Sequence, residues 1–133
     1  MMVRISRSTL EQIMSLAAAS GQEVCGLLLG QPGHVSDILP AENVAPDPHR
    51  YFELSPATLL KAHKAARAGG PAILGHYHSH PSGAAIPSAT DAASARPDGS
   101  LWLIVGDDEA RLWIAGRGEG GEVTFTRAML DIM

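Results

Sequence analysis

The sequence predicts an α/β (α+β) domain in which a mixed, curved β-sheet is flanked by helices. Three observations carry that class. Short apolar runs bounded by glycine, such as residues 24–30 and 101–105, read as buried strands. Two stretches place apolar residues at helical spacing: Leu10, Ile13, Met14 and Ala17, then Leu59, Leu60 and Ala66. The two kinds of segment follow one another without an internal repeat, low-complexity tract or linker, so the 133 residues fit one domain spanning 1–133.

Taken in order, residues 3–5 read as a first strand. Ser8-Thr9-Leu10-Glu11 matches a capping box, with Ser8 as N-cap and Glu11 reaching back, and Ser20-Gly21 closes the helix. Glu23 stands at the mouth of the strand that follows, with Cys25 two residues on as a small buried hydrophobe. Gln31-Pro32-Gly33 turns the chain into a returning strand over 34–39. Residues 40–50 carry Pro40, Pro46 and Pro48 and should be irregular, and 51–54 alternates weakly as a strand. Ser55-Pro56 opens the second helix, with proline at its first position and Lys61, Lys64 and Arg67 on a solvated face. Residues 71–78 form the central strand, 81–87 a loop, and 88–95 a short helix halted before Pro97. Strands at 101–105, 111–115 and 122–126 complete the chain; Trp102 and Trp113 could line a cleft, but tryptophans in strands are more often core or sheet-surface packing. The pattern leaves the strand order open.

The chemistry concentrates in Gly75-His76-Tyr77-His78-Ser79-His80-Pro81 and in Pro87-Ser88-Ala89-Thr90-Asp91. At the end of a strand, His78 and His80 project from one face, because side chains alternate with period two. Ser88 and Asp91, three apart, share one side of a first helical turn. Two imidazoles and a carboxylate can then converge, which is the donor set of a catalytic zinc site with one position left open. Ser79 points away from that site and reads as a fold hydrogen bond. The other four histidines, His34, His49, His63 and His76, read as surface or satisfied core residues.

This spacing resembles the signature of the JAMM (MPN+) zinc metalloproteases, of the short bacterial single-domain type. His78-Ser79-His80-Pro81 is followed by seven residues before Ser88 and two more before Asp91. The family also carries an upstream glutamate, matched here by Glu23-Val24-Cys25-Gly26-Leu27-Leu28-Leu29-Gly30, and Asn43 and Phe52-Glu53-Leu54-Ser55-Pro56 resemble the intervening segment. One departure is His76, where many relatives have tryptophan. The resemblance runs over roughly residues 3–105.

The resemblance implies an MPN/JAMM-like fold with cytidine-deaminase-like layering. It implies Zn2+ held by His78, His80 and Asp91, Glu23 as general base, and Ser88 as donor to the oxyanion. It also implies hydrolysis of a peptide or isopeptide bond after the C-terminal Gly-Gly of a ubiquitin-like or sulfur-carrier protein. The small residues Gly83, Ala84 and Ala85 would leave room for such a tail. Two other classes share the donor set or the fold: a non-haem iron oxygenase, since two histidines and a carboxylate also form an iron triad, and an inactive MPN-type binding scaffold, against which the full set of donors argues.

Composition narrows the partners. A net charge of −4 and a pI near 5.8 argue against nucleic acid. One cysteine excludes an intrachain disulfide and fits a reducing cytoplasm. The start of the chain has no apolar run of signal-peptide type, and no stretch approaches the roughly 20 apolar residues of a membrane span.

Overall fold

The computed structural model describes all 133 residues. Strand β1 (Met2–Ile5) leads into helix α1 (Arg7–Ala18), then strands β2 (Cys25–Gln31) and β3 (His34–Ala41). Helix α2 (Pro56–Arg67) precedes β4 (Ala72–Ser79), and helix α3 (Ala89–Ser94) precedes β5 (Leu101–Gly106), β6 (Glu109–Arg117) and β7 (Val123–Ile132). The sheet closes on itself in the order β1-β3-β2-β4-β5-β6-β7. It is mixed, as the sequence predicts, but it is a closed barrel and not an open layer. Closure depends on β1, which runs parallel to β3 on one side and to β7 on the other.

Several boundaries differ from the sequence reading. The N-cap of α1 is Ser6, not Ser8: the Thr9 N–H donates to Ser6 Oγ at 3.1 Å, and Ser6 is extended directly after β1. Both serines satisfy the N-cap preference, and the end of β1 selects the earlier one. Residues 51–54 form no strand, only an isolated bridge between Asn43 and Leu54. Strand β7 continues well past Thr126, because its first half pairs with β6 and its second half with β1.

Period-two alternation divides the sheet into two faces. Val3, Ile5, Leu28, Val35, Tyr77, Leu103 and Leu112 join one core cluster, with Ile13 of α1 fully buried against it. The Tyr77 ring fits because position 26 is glycine, where a Cβ would collide with it. On the opposite face of β4 lie His76 and His78. Register places Cys25 of β2 beside His78 and Trp102 of β5 beside His76. The parallel pairing of β4 with β5 needs a crossover, and the α3 segment supplies it. That crossover carries Ser88 and Asp91 back to the end of β4.

Candidate metal centre

His78 is fully buried near the end of β4, and His80 follows just beyond the strand. Their Nε2 atoms stand 3.2 Å apart, and Oδ2 of Asp91 lies 3.2 Å from the first and 3.1 Å from the second. Three donor atoms thus form a nearly equilateral triangle. Ligands at about 2.0–2.1 Å from a tetrahedral ion stand about 3.3–3.4 Å apart, so this donor set fits such an ion with little movement.

Each member of the triangle is held from behind. Nδ1 of His80 stands 2.8 Å from the Ala84 carbonyl, which can only accept, so Nδ1 carries a proton and Nε2 faces the centre. Asp91 is fixed by a reciprocal capping box: the Ser88 N–H donates to Asp91 Oδ2 at 2.9 Å, and the Asp91 N–H donates to Ser88 Oγ at 3.0 Å. The His78 ring stacks on Phe52, with centroids 4.2 Å apart and planes 18° from parallel. Trp102 meets the same ring edge-on at 5.8 Å and packs in turn against Phe125 at 5.0 Å. Trp102 thus packs on the sheet, on the face that bears the candidate centre.

Glu23 reaches the centre from the segment before β2. Its carboxylate and the two imidazoles place donor atoms within 4.8 Å of one another. This grouping shares both histidines with the tight triangle. The Glu23 backbone is clamped on both sides. Its N–H donates to the Pro48 carbonyl at 2.7 Å, and its carbonyl accepts from Asn43 Nδ2 at 2.8 Å. The next residue, Val24, donates its N–H to Ser79 Oγ at 2.9 Å and accepts from the Ser79 N–H at 3.0 Å. Ser79 therefore makes the fold hydrogen bond expected of it, and the bond locks the Glu23 segment to the end of β4.

Electrostatics follow from burial. Loss of solvent pushes the Glu23 carboxyl up to about 7; the charge of His80 opposes this and that of Asp91 adds to it. Burial also disfavours charge on Asp91, but hydrogen bonds from His78 and His80 outweigh it and hold the carboxyl below the usual range. Burial lowers the His78 pKa, against the hydrogen bond and charge of Asp91. For His80, burial is outweighed by Asp91, Ala84 and Glu23, and protonation is favoured. Cys25 is 2% exposed, and burial followed by the Glu23 charge pushes its thiol up to about 11, so it behaves as the buried hydrophobe expected.

His76 is a satisfied core residue, one of the two readings the sequence allowed: its Nε2 stands 3.2 Å from Nδ1 of His78. In the loop of Gly83, Ala84 and Ala85, Ala84 is exposed while the inner side is packed. Ala85 is fully buried and its carbonyl accepts from Trp113 Nε1 at 3.1 Å, while Gly83 and Ala84 lie against Gly106, where a Cβ would collide with the Gly83 carbonyl. Periodicity does not reveal the stacking of Phe52 on His78 or the hydrogen bond of Trp113, which depend on register and on a loop path that no local pattern encodes.

The family model of prokaryotic homologs of the JAB domain matches residues 6–122. A desampylase of Haloferax volcanii is 38% identical over 88 residues, covering 65% of this chain and 63% of its own length, so the match spans just under two thirds of that protein. A probable TtuB-protein conjugate cleaving protease of Thermus thermophilus is 34% identical over 120 residues, covering 86% of this chain and 77% of that protein. The solution structure of a Desulfitobacterium hafniense protein superposes with a TM-score of 0.75 at 26% identity, covering 100% of this chain and 94% of that one. The chain belongs to the prokaryotic JAB-domain family, a branch of the JAMM/MPN proteins.

Proposed function

We propose that this protein is a zinc-dependent peptidase that hydrolyses the peptide or isopeptide bond after the C-terminal Gly-Gly of a ubiquitin-like or sulfur-carrier protein. The observation that carries this reading is the triangle of His78 Nε2, His80 Nε2 and Asp91 Oδ2, with the Glu23 carboxylate within 4.8 Å of both histidines. His78, His80 and Asp91 would hold the zinc ion. Bound zinc supplies Lewis acidity, acidifying water and polarising a carbonyl. The relatives described as a desampylase and as a TtuB-protein conjugate cleaving protease support a protein-conjugate substrate.

Glu23 takes the proton of the attacking water and returns it to the leaving amine. A carboxyl raised to about 7 suits both directions, because general acid–base help is most efficient when the pKa lies near the working pH. Its distance from the histidines is one that a single water molecule spans. Ser88 Oγ accepts from the Asp91 N–H, so its own O–H proton remains available. Ser88 is solvent-exposed, and its hydroxyl donates to the oxyanion that forms on the scissile carbonyl. It is not a nucleophile, since His78 and His80 turn toward Asp91 and neither is placed as its base.

The test incubates purified protein, zinc-loaded and zinc-stripped, with ubiquitin-like and sulfur-carrier proteins extended past Gly-Gly, read by intact mass. Scission directly after Gly-Gly, dependent on zinc and lost in His80→Ala, is expected. Loaded protein that leaves every extended carrier intact would overturn the reading.

A further inference from the structure

The proposed chemistry leaves His76 without a task, yet it is the residue in closest polar contact with His78 from behind. It precedes His78 by two positions on β4, so both rings fall on one face of the strand. Its Nε2 stands 3.2 Å from Nδ1 of His78. The ring is enclosed: Trp102 meets it edge-on at 4.4 Å and Phe52 lies at 4.9 Å, leaving it 9% exposed.

The two histidines of the triangle have matching surroundings. Each turns Nε2 to the centre, and each has its Nδ1 in contact with one group. For His80 that group is the Ala84 carbonyl at 2.8 Å; for His78 it is His76. A neutral imidazole offers one N–H and one lone pair, and the hydrogen bond at one nitrogen decides what the other presents. Stacking on Phe52 cannot make this choice, because a flipped ring or the other tautomer packs equally well.

We propose that His76 is a positioning residue: its Nε2 accepts the Nδ1–H of His78 and so fixes the tautomer in which His78 Nε2 presents its lone pair to a metal ion. The inference rests on the reading of His78, His80 and Asp91 as metal ligands. It assigns to a residue outside the ligand set a share of the metal affinity. Partners of this kind typically contribute 10–100-fold to affinity. Tryptophan at this position could not substitute, since its indole N–H only donates.

Two measurements test it. Imidazole 15N NMR of the zinc-loaded wild type should find the proton of His78 on Nδ1 and a lone pair on Nε2 of His76; a proton on His76 Nε2 in that state overturns the inference. Chelator competition should find zinc bound about 10–100-fold more weakly by His76→Phe. Much of that loss should return in His76→Gln, whose side-chain carbonyl accepts. His76→Phe with wild-type affinity overturns the inference while leaving the ligand assignment standing. A wild type that takes up no zinc overturns the ligand assignment and this inference with it.

Discussion

The side-chain amide of Asn43 donates to the backbone carbonyl of Glu23 at 2.8 Å and to that of Tyr51 at 2.8 Å. Its Oδ1 accepts from the N–H groups of Ala45 and Glu53 at 3.0 and 3.1 Å. One side chain therefore ties the irregular segment after β3 to the residue proposed as general base. Asn43→Ala leaves those carbonyls and N–H groups without their partner, at about 1–3 kcal/mol of stability. Zinc content should stay at wild-type level while kcat falls at least tenfold; equal kcat would show that Pro48 and Ser79 hold Glu23 unaided.

Glu23→Gln keeps nearly the same volume and removes the proton acceptor. Turnover should fall by about 10²–10⁴-fold with zinc stoichiometry unchanged. In the wild type, kcat/KM should rise with pH as the carboxylate forms. That limb should lie at or below pH 7, because the charge of bound zinc lowers a carboxyl that burial alone raises to about 7. The pH profile of the residual rate in the variant should lack the limb.

The same substitution changes the stability of metal-stripped protein in the opposite direction. Folding raises the Glu23 pKa from 4.5 to about 7, so between these values the folded state holds a proton that the unfolded state has lost. Stability therefore falls as pH rises through that window and stays lower above it. Glu23→Gln should exceed wild type by on the order of 2 kcal/mol at pH 8. The gain should vanish near pH 4.5, as measured by urea unfolding at both values.

Tyr77 is fully buried, and its hydroxyl has no hydrogen-bond partner. Removing an unpaired buried hydroxyl relieves a desolvation penalty of about 1–3 kcal/mol. Tyr77→Phe should therefore match or exceed wild type in urea midpoint. Gly26→Ala should lower it by about 1–3 kcal/mol, since the new Cβ meets the Tyr77 ring.

Substrate recognition should extend beyond the tail. With Ala85 buried and the Gly83–Ala84 backbone packed on Gly106, this loop offers no deep side-chain pocket. Binding energy from the globular part of a carrier can position the scissile bond and raise the rate. A folded carrier should give a kcat/KM well above that of its tail peptide, and replacing its last glycine by leucine should reduce cleavage. Equal values for peptide and carrier would make recognition purely local.

What the sequence disclosed was the part encoded at short range. His78 and His80 share a face because of period two, and Ser88 and Asp91 meet because a first helical turn brings positions three apart together; both relations hold in the structure. The contributions of Phe52, Asn43 and Trp113 depend on where an irregular, proline-bearing segment and a loop come to lie, which no periodicity encodes. His76 alternates correctly with His78, but its contact is set by ring orientation inside an aromatic packing. Barrel closure escaped for a similar reason: four residues of β1 carry the seam, and their partners lie at the far end of the chain.

That seam has a kinetic consequence. Met2 pairs with Met129 and Ile5 with Ile132, and the Met133 N–H donates to the Ile5 carbonyl. Strands β2 to β6 can zip up through successive neighbours, but the first strand gains its β7 partner only after the last one is in place. Contacts of such sequence separation form slowly, because a long loop must close before they reward it. During synthesis the emerging chain would hold the β4 histidines in register while its barrel still stood open at one side. Circular permutation that joins β7 to β1 through a linker long enough to cross over the parallel pair would shorten the separation of this contact, and refolding should accelerate.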